Sequence, residues 1–175
     1  TAPVAPTFGS VSSTDPTDCG VNDGTITVQA NSSIGNALEY SNDGGGTWQA
    51  GNIFTNLNGG SYSIRVRNID GSCVINGGTV ILNNKTPPTI TSIFSTDPTT
   101  CSLNNGTITI TASGSGALEY SIDGGTNWQF SNSFTILPSG SYNAAVRNND
   151  GTCLVLNTSN PIILIAPTAP SITNV

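Results

Sequence analysis

The chain has 175 residues, 8% of them charged, with a net charge of −6 and no histidine. Its four cations, Arg65, Arg67, Lys85 and Arg147, are too few to line a phosphate-binding groove, which excludes nucleic acid as a partner. No segment approaches the ~18 apolar residues of a helical membrane span, and the longest apolar run, Ile162–Ala166, suits a buried strand.

In chain order, Ala2–Pro6 is a proline-stiffened lead into a first strand at Thr7–Val11, and Ser13–Thr17 is an Asp-Pro turn. Gly24–Ala30 alternates, with Ile26, Val28 and Ala30 on one face against Thr25, Thr27 and Gln29. Ala37–Ser41 buries Leu38 and Tyr40, turns at Asp43–Gly44–Gly45 and returns through Thr47–Gln49, the pattern of a β-hairpin. Strands at Ile53–Leu57 and Ser61–Asn68 follow; the second points Tyr62, Ile64 and Val66 inward and Ser63, Arg65 and Arg67 outward. An Asp70–Gly71 turn leads into Cys73–Ile75, and Thr79–Leu82 closes the cycle.

After a short, rigid junction at Asn84–Pro88 the cycle repeats. Strands are expected at Thr89–Ile93, Gly106–Ala112, Phe134–Leu137, Ser141–Asn148 and Pro161–Ala166, and Leu38–Tyr40 reappears as Leu118–Tyr120 ahead of a second Asp-Gly-Gly turn. Short strands with turn signals and no helical period argue for an all-β chain of two tandem immunoglobulin-like β-sandwich domains, residues 1–85 and 86–167. Pro6–Val11, Pro88–Ile93 and Pro170–Val175 recur at a spacing of 82 residues. Residues 168–175, with Pro170, Ser171, Ile172, Thr173, Asn174 and Val175, therefore read as the first strand of a further repeat. They are expected either to continue a longer array or to add a strand to a neighbouring subunit. The start lacks a basic-then-apolar leader, which fits a processed or excised chain.

Four cysteines fall two per repeat, and the spacing predicts Cys19–Cys73 and Cys101–Cys153 bridges, each bracketing one unit. Such bridges belong outside a reducing cytoplasm. Without histidine or a Cys-x-x-Cys pair, zinc has no ligand set. Calcium would need Asp18 and Asp23, which become Thr100 and Asn105 in the second repeat, so no metal or other cofactor is expected. Each repeat has a single strand glutamate, Glu39 or Glu119, expected to pair across strands with Arg67 or Arg147 rather than to work as a catalytic carboxylate pair. The chain is read as a non-enzyme. Trp48 and Trp128 are expected to pack into the core beneath their hairpins, with sugar stacking as the alternative. Tyr62 and Tyr142 sit where sandwiches carry a tyrosine corner. Asn31, Asn84, Asn105 and Asn157 head Asn-x-Ser/Thr sequons, candidate glycosylation sites.

Two resemblances follow from these residues. Ser41–Trp48 is similar to the Asp-box hairpin of sialidases and other secreted β-rich proteins, where it is structural; the second copy departs from it at Asn127. Gly-Thr-Ile-Thr, Leu-Glu-Tyr-Ser-x-Asp-Gly-Gly, Gly-Ser-Tyr and Val-Arg-Asn-x-Asp-Gly-x-Cys together resemble immunoglobulin-like repeats of Bacteroidetes cell-surface and secreted proteins, including gliding-motility adhesins and filament-forming proteins. That resemblance implies a structural subunit of an extracellular or cell-surface fibre or stalk. Its partner would be a head-to-tail copy of itself or a neighbouring repeat. The alternative is an adhesin or carbohydrate-binding accessory module with a glycan as partner.

Overall fold

A computed structural model describes residues 2–32 and 35–171. The chain is all-β and divides into two compact units, residues 1–85 and 86–175. Among the described residues no helix is long and apolar enough to cross a membrane.

Among the described residues the first unit has six strands: β1 (Thr7–Thr14), β2 (Gly24–Asn31), β3 (Leu38–Ser41), β4 (Ile53–Leu57), β5 (Gly60–Asn68) and β6 (Ile75–Leu82). They form two antiparallel three-stranded sheets, β1-β2-β4 and β3-β5-β6, the connectivity of an immunoglobulin-like sandwich. The period-two alternation seen in the sequence supplies the core: Ile26 and Val28 from β2 and Ile64 and Val66 from β5 are fully buried. Leu38, Tyr40, Phe54 and Leu82 close the cluster. Each fully buried aliphatic side chain contributes about 1.5–3 kcal/mol. Thr47–Gln49 does not form a strand; the hairpin closes by one bridge, with Tyr40 and Gln49 exchanging N–H···O bonds of 2.8 and 3.0 Å. Cys73–Ile75 is not a strand either, because β6 begins only at Ile75.

The second unit has β7 (Thr89–Thr96), β8 (Gly106–Ser113), β9 (Leu118–Ser121), β10 (Ser133–Leu137), β11 (Gly140–Tyr142), β12 (Ala145–Asn148), β13 (Val155–Leu156) and β14 (Ile162–Leu164). β7-β8-β10 repeats the first sheet. The facing sheet is broken in two: β12 pairs with β9 and β13, whereas β11 pairs with β14. The continuous strand expected over Ser141–Asn148 is thus interrupted at Asn143–Ala144. Its core holds Ile108, Ile110, Leu118, Ala144, Val146 and Leu164.

Each unit has a head, where the chain comes in, and a tail, where it leaves. In the first unit Asn68, at the end of β5, donates its Nδ2–H to Val4 O at 3.0 Å and so clasps the incoming segment at the head. At the tail the Asp15 carboxylate accepts the Asn83 N–H at 2.9 Å. The second unit repeats both clasps, from Asn148 to Thr86 O at 3.2 Å and from Ile165 N–H to Asp97 at 2.9 Å.

This polarity overturns the within-repeat disulfides. Cys19 lies in the tail loop between β1 and β2, its Sγ 3.3 Å from Lys85 O, whereas Cys73 lies in the head loop between β5 and β6. The whole of β5, roughly 26 Å at the usual rise, separates those ends, and a disulfide spans no more than about 7 Å between Cα atoms. Accordingly Cys73 and Cys101 are free thiols, while Cys19 and Cys153 are disulfide-bonded. The sequence shows that cysteines bracket a unit; it does not show that the chain crosses the sandwich five times between them, through β2, β3, the Thr47–Gln49 return, β4 and β5, and so puts them at opposite ends.

Candidate functional site

The most elaborate polar constellation in each unit is the Asp-Gly-Gly hairpin with the outer face of the sheet beside it. In β3 the side chains alternate, so Tyr40 faces the core and Glu39 faces out. Register places Glu39 directly opposite Arg67 of β5, and Arg67 Nε–H donates to Glu39 Oε2 at 2.7 Å. The expected cross-strand pair is therefore formed, and Arg147 and Glu119 form it again at 2.7 Å. All four side chains are partly shielded, with 15–27% of their surface exposed.

The tryptophans are not in the core. Gln49 is bridged to the inward-facing Tyr40, so Trp48, one residue away, takes the outward side with Glu39. The Arg67 guanidinium stacks over the Trp48 ring at 4.0 Å and Arg147 over Trp128 at 4.2 Å. The indole N–H groups donate to Gly45 O at 3.0 Å and Gly125 O at 2.9 Å. Core packing fails because the ring caps an outer ion pair, and a sugar would meet that face already covered by arginine. The sequence holds the missing signal, an aromatic one residue off an inward strand partner, but only once the register is known.

Within the hairpin, Ser41 is fully buried and organises the turn. Its hydroxyl donates to Asp43 Oδ1 at 2.7 Å and accepts the Gly45 N–H at 2.9 Å. Asp43 in turn accepts the Thr47 N–H at 2.9 Å and the Thr47 hydroxyl at 2.7 Å. Gly44 and Gly45 have φ of 78° and 98°, and their N–H groups face inward to partners, so glycine is required at this corner. The second hairpin solves the same problem with Asn127: its N–H donates to Asp123 at 2.9 Å and its Nδ2–H to Asp123 Oδ2 at 2.6 Å. Asparagine thus substitutes for threonine because it offers one donor at the same reach.

These bonds set the carboxylates' acidity. The Thr47 N–H, the Thr47 hydroxyl and the Ser41 hydroxyl hold Asp43 well below the usual carboxylate range. Burial pushes Asp123 up, but the donors of Asn127, Ser121 and Thr126 outweigh it and hold this group at about 2. A carboxylate held ionised by these donors fixes the turn and has no proton to lend near neutral pH.

Several of the remaining expected sites are similarly occupied. Asp23 accepts the N–H and hydroxyl of Thr17, and Asn105 does the same work against Thr99, so these positions are turn caps. Thr17 holds Asp23 below its ordinary value. Tyr62 and Tyr142 donate to the carbonyls of Asn58 and Pro138, each at 2.8 Å, forming tyrosine corners. Of the sequon asparagines, Asn31 is exposed at the end of β2 and Asn84 accepts the Gly59 N–H at 2.7 Å. Asn105 is tied to Thr99, and half-buried Asn157 lies against Asn160. Pro170 and Ser171 are exposed and outside any strand; Ile172, Thr173, Asn174 and Val175 lie outside the described residues. One pocket borders the second hairpin, about 230 Å³, lined by Ile122, Asp123, Asn127, Trp128, Gln129 and Phe134.

No protein-family model matches the chain, and no curated protein matches it in sequence. Among solved structures it is similar to the C-terminal 282-residue fragment of intimin, described in complex with the intimin-binding domain of the translocated intimin receptor, at 14% identity and a TM-score of 0.44. The alignment covers 86% of this chain and 63% of that fragment, so the chain spans less than two thirds of its neighbour's length.

Proposed function

We propose that the chain is a non-catalytic, extracellular structural module: two immunoglobulin-like sandwiches serving as a repeat unit of a fibre or stalk. The observation that carries this reading is the polarity of each unit. Both units take the chain in at one end and release it at the other through the same pair of side-chain clasps, Asn68 and Asp15 in one and Asn148 and Asp97 in the other. Modules of that kind extend an array by simple repetition. The side chains with chemical potential support it too, because Glu39, Arg67 and Trp48 are spent on one another and Asp43 on Ser41 and Thr47. Disulfide-bonded Cys19 and Cys153 fit an oxidising, extracellular or surface location. In this reading Pro170–Val175, which repeats the sequence of two first strands, adds to the sheet of a neighbouring copy.

Electron microscopy of the oxidised chain across a concentration series tests it. Regular filaments are expected, and their loss on deletion of Pro170–Val175 identifies the connecting strand. Monodisperse particles at every concentration would refute self-assembly.

A second reading, a surface-binding adhesin module, is favoured by the pocket beside Trp128. Two amide side chains and two aromatic rings line it, the mixture that a sugar ring uses. Glycan-array binding that disappears on Gln129→Ala would establish it.

A further inference from the structure

The four cysteines fall into two classes by position. Cys19 and Cys101 occupy equivalent tail loops, between β1 and β2 and between β7 and β8. Cys73 and Cys153 occupy equivalent head loops, each just after an Asp-Gly turn whose aspartate accepts the N–H of Ser72 or Thr152. The bonded set, Cys19 and Cys153, holds one tail and one head cysteine. So does the free set, Cys101 and Cys73.

Cys73 already carries the backbone of its bonded counterpart. Its φ is 55° and that of Cys153 is 60°, a left-handed conformation that a non-glycine residue seldom adopts. The same unusual backbone therefore forms whether or not the sulfur is bonded, so the Cys73 loop already has the left-handed turn that the bonded Cys153 has. It is less covered than Cys153, half-buried against 2% exposed, and Val74 beside it is 47% exposed. Cys101 is exposed outright, next to Leu103 at 52%. In chain order the free head cysteine belongs to the first unit and the free tail cysteine to the second.

We infer that Cys101 of one copy forms a disulfide with Cys73 of the next, a covalent head-to-tail link between copies of this chain. This rests on the fibre reading and adds a chemical bond to it. The two thiols lose two protons and two electrons, and a small-molecule or protein disulfide accepts them and becomes two thiols. Exchange begins at exposed Cys101, which forms a mixed disulfide with the oxidant. The Cys73 thiolate of the second copy then attacks the Cys101 sulfur and expels the remaining thiol.

The test uses the full chain, incubated with oxidised glutathione at mildly alkaline pH, then blocked with alkylating agent and run without reductant. A ladder of oligomers that collapses on reduction is expected, with a Cys73–Cys101 cross-linked peptide by mass spectrometry. Cys73→Ser and Cys101→Ser variants, each monomeric alone, should give one heterodimer when mixed and no ladder. Like-with-like dimers of either variant, a monomer that loses two hydrogens, or thiols that stay alkylated would each overturn the inference. Microscopy separates the two readings: wild-type filaments whose Cys73 and Cys101 stay alkylated leave the fibre reading standing and remove the disulfide, and filaments of the double variant show that assembly does not depend on the bond.

Discussion

The two units share their hairpins almost atom for atom and differ in how their last strands meet the sheet. In the first unit β5 pairs with the whole of β6, from Gly60 opposite Leu82 to Val66 opposite Ile75, with one register shift where Ile64 faces Gly78 and Arg65 faces Asn76. The shift is possible because Gly77 has no side chain; a Cβ there would lie 2.5 Å from the Phe8 ring and 2.8 Å from Ile64 Cγ2. The second unit has a longer connection at that place, Asn157–Pro161, and a side chain performs the pairing. Asn160 Oδ1 accepts the Ala144 N–H and Asn160 Nδ2–H donates to Ala144 O, both at 2.9 Å, while the Asn157 N–H donates to the same carbonyl at 3.0 Å. A carboxamide carries one donor and one acceptor in the geometry of a peptide group, so it can stand in for one missing strand residue. The comparison shows two kinds of tolerated change: the edge strand is rebuilt, whereas at the hairpin Asn127 replaces Thr47 with the geometry kept.

Each unit has a single tryptophan, so Trp48→Phe and Trp128→Phe backgrounds report on one unit at a time. The largest effect is expected from Ile64→Ala, which deletes fully buried core volume from the first unit and should cost ~2–5 kcal/mol. Ala144 is the natural equivalent in the second unit, where the core is already built around alanine. Fluorescence-detected denaturation should therefore show only the first unit shifting. A shift in both would mean that the units do not unfold independently.

Asn160→Ala should come next, at ~1–3 kcal/mol in the second unit, because it leaves the buried Ala144 N–H without an acceptor. The counterpart Asn76→Ala loses one exposed bond to the Gly78 N–H and should change stability by less than ~1 kcal/mol. Equal effects would show that the carboxamide is not replacing backbone.

Smaller still, Glu39→Gln and Glu119→Gln should each cost about 0.5–1 kcal/mol, with matching coupling to arginine in double-mutant cycles, since both pairs have the same geometry and partial exposure. Tryptophan emission should shift with them as the stacked guanidinium loosens.

The subtlest contrast is in pH. Both hairpin carboxylates are depressed in the folded state, so their contribution is complete above the unfolded value near ~4 and is lost as pH falls through the folded one. Asp123, at about 2, should protonate first and Asp43 lower still. Carboxyl-carbon NMR titration checks this order; an ordinary midpoint for either group would show that its hairpin bonds do not form in solution.

Much of this was legible in the chain. The alternation of Ile26, Val28, Ile64 and Val66 specifies the core because burial on one face of a strand leaves only one register. The pairing of Glu39 with Arg67 and the corners of Tyr62 and Tyr142 were readable from position relative to glycine turns. What could not be read depends on which strand lies opposite which. Trp48 is placed outward by a bridge to Tyr40, and the cysteines are separated by a count of reversals. Asn160 is invisible for another reason: in a polar loop nothing distinguishes an asparagine that repairs a sheet from one that faces water.

The opposed positions of the head and tail clasps have a mechanical consequence. Tension along the chain pulls on β1 and β6 from opposite ends of one sandwich, so the ladder joining β1 to β2 is loaded in shear and its bonds must yield together rather than peel one at a time. The Asn68–Val4 and Asp15–Asn83 bonds lie outside that ladder and take up the first extension. A stretched unit would therefore give way in two stages, a small and quickly re-formed slip at the clasps followed by an abrupt loss of the sandwich at much higher force.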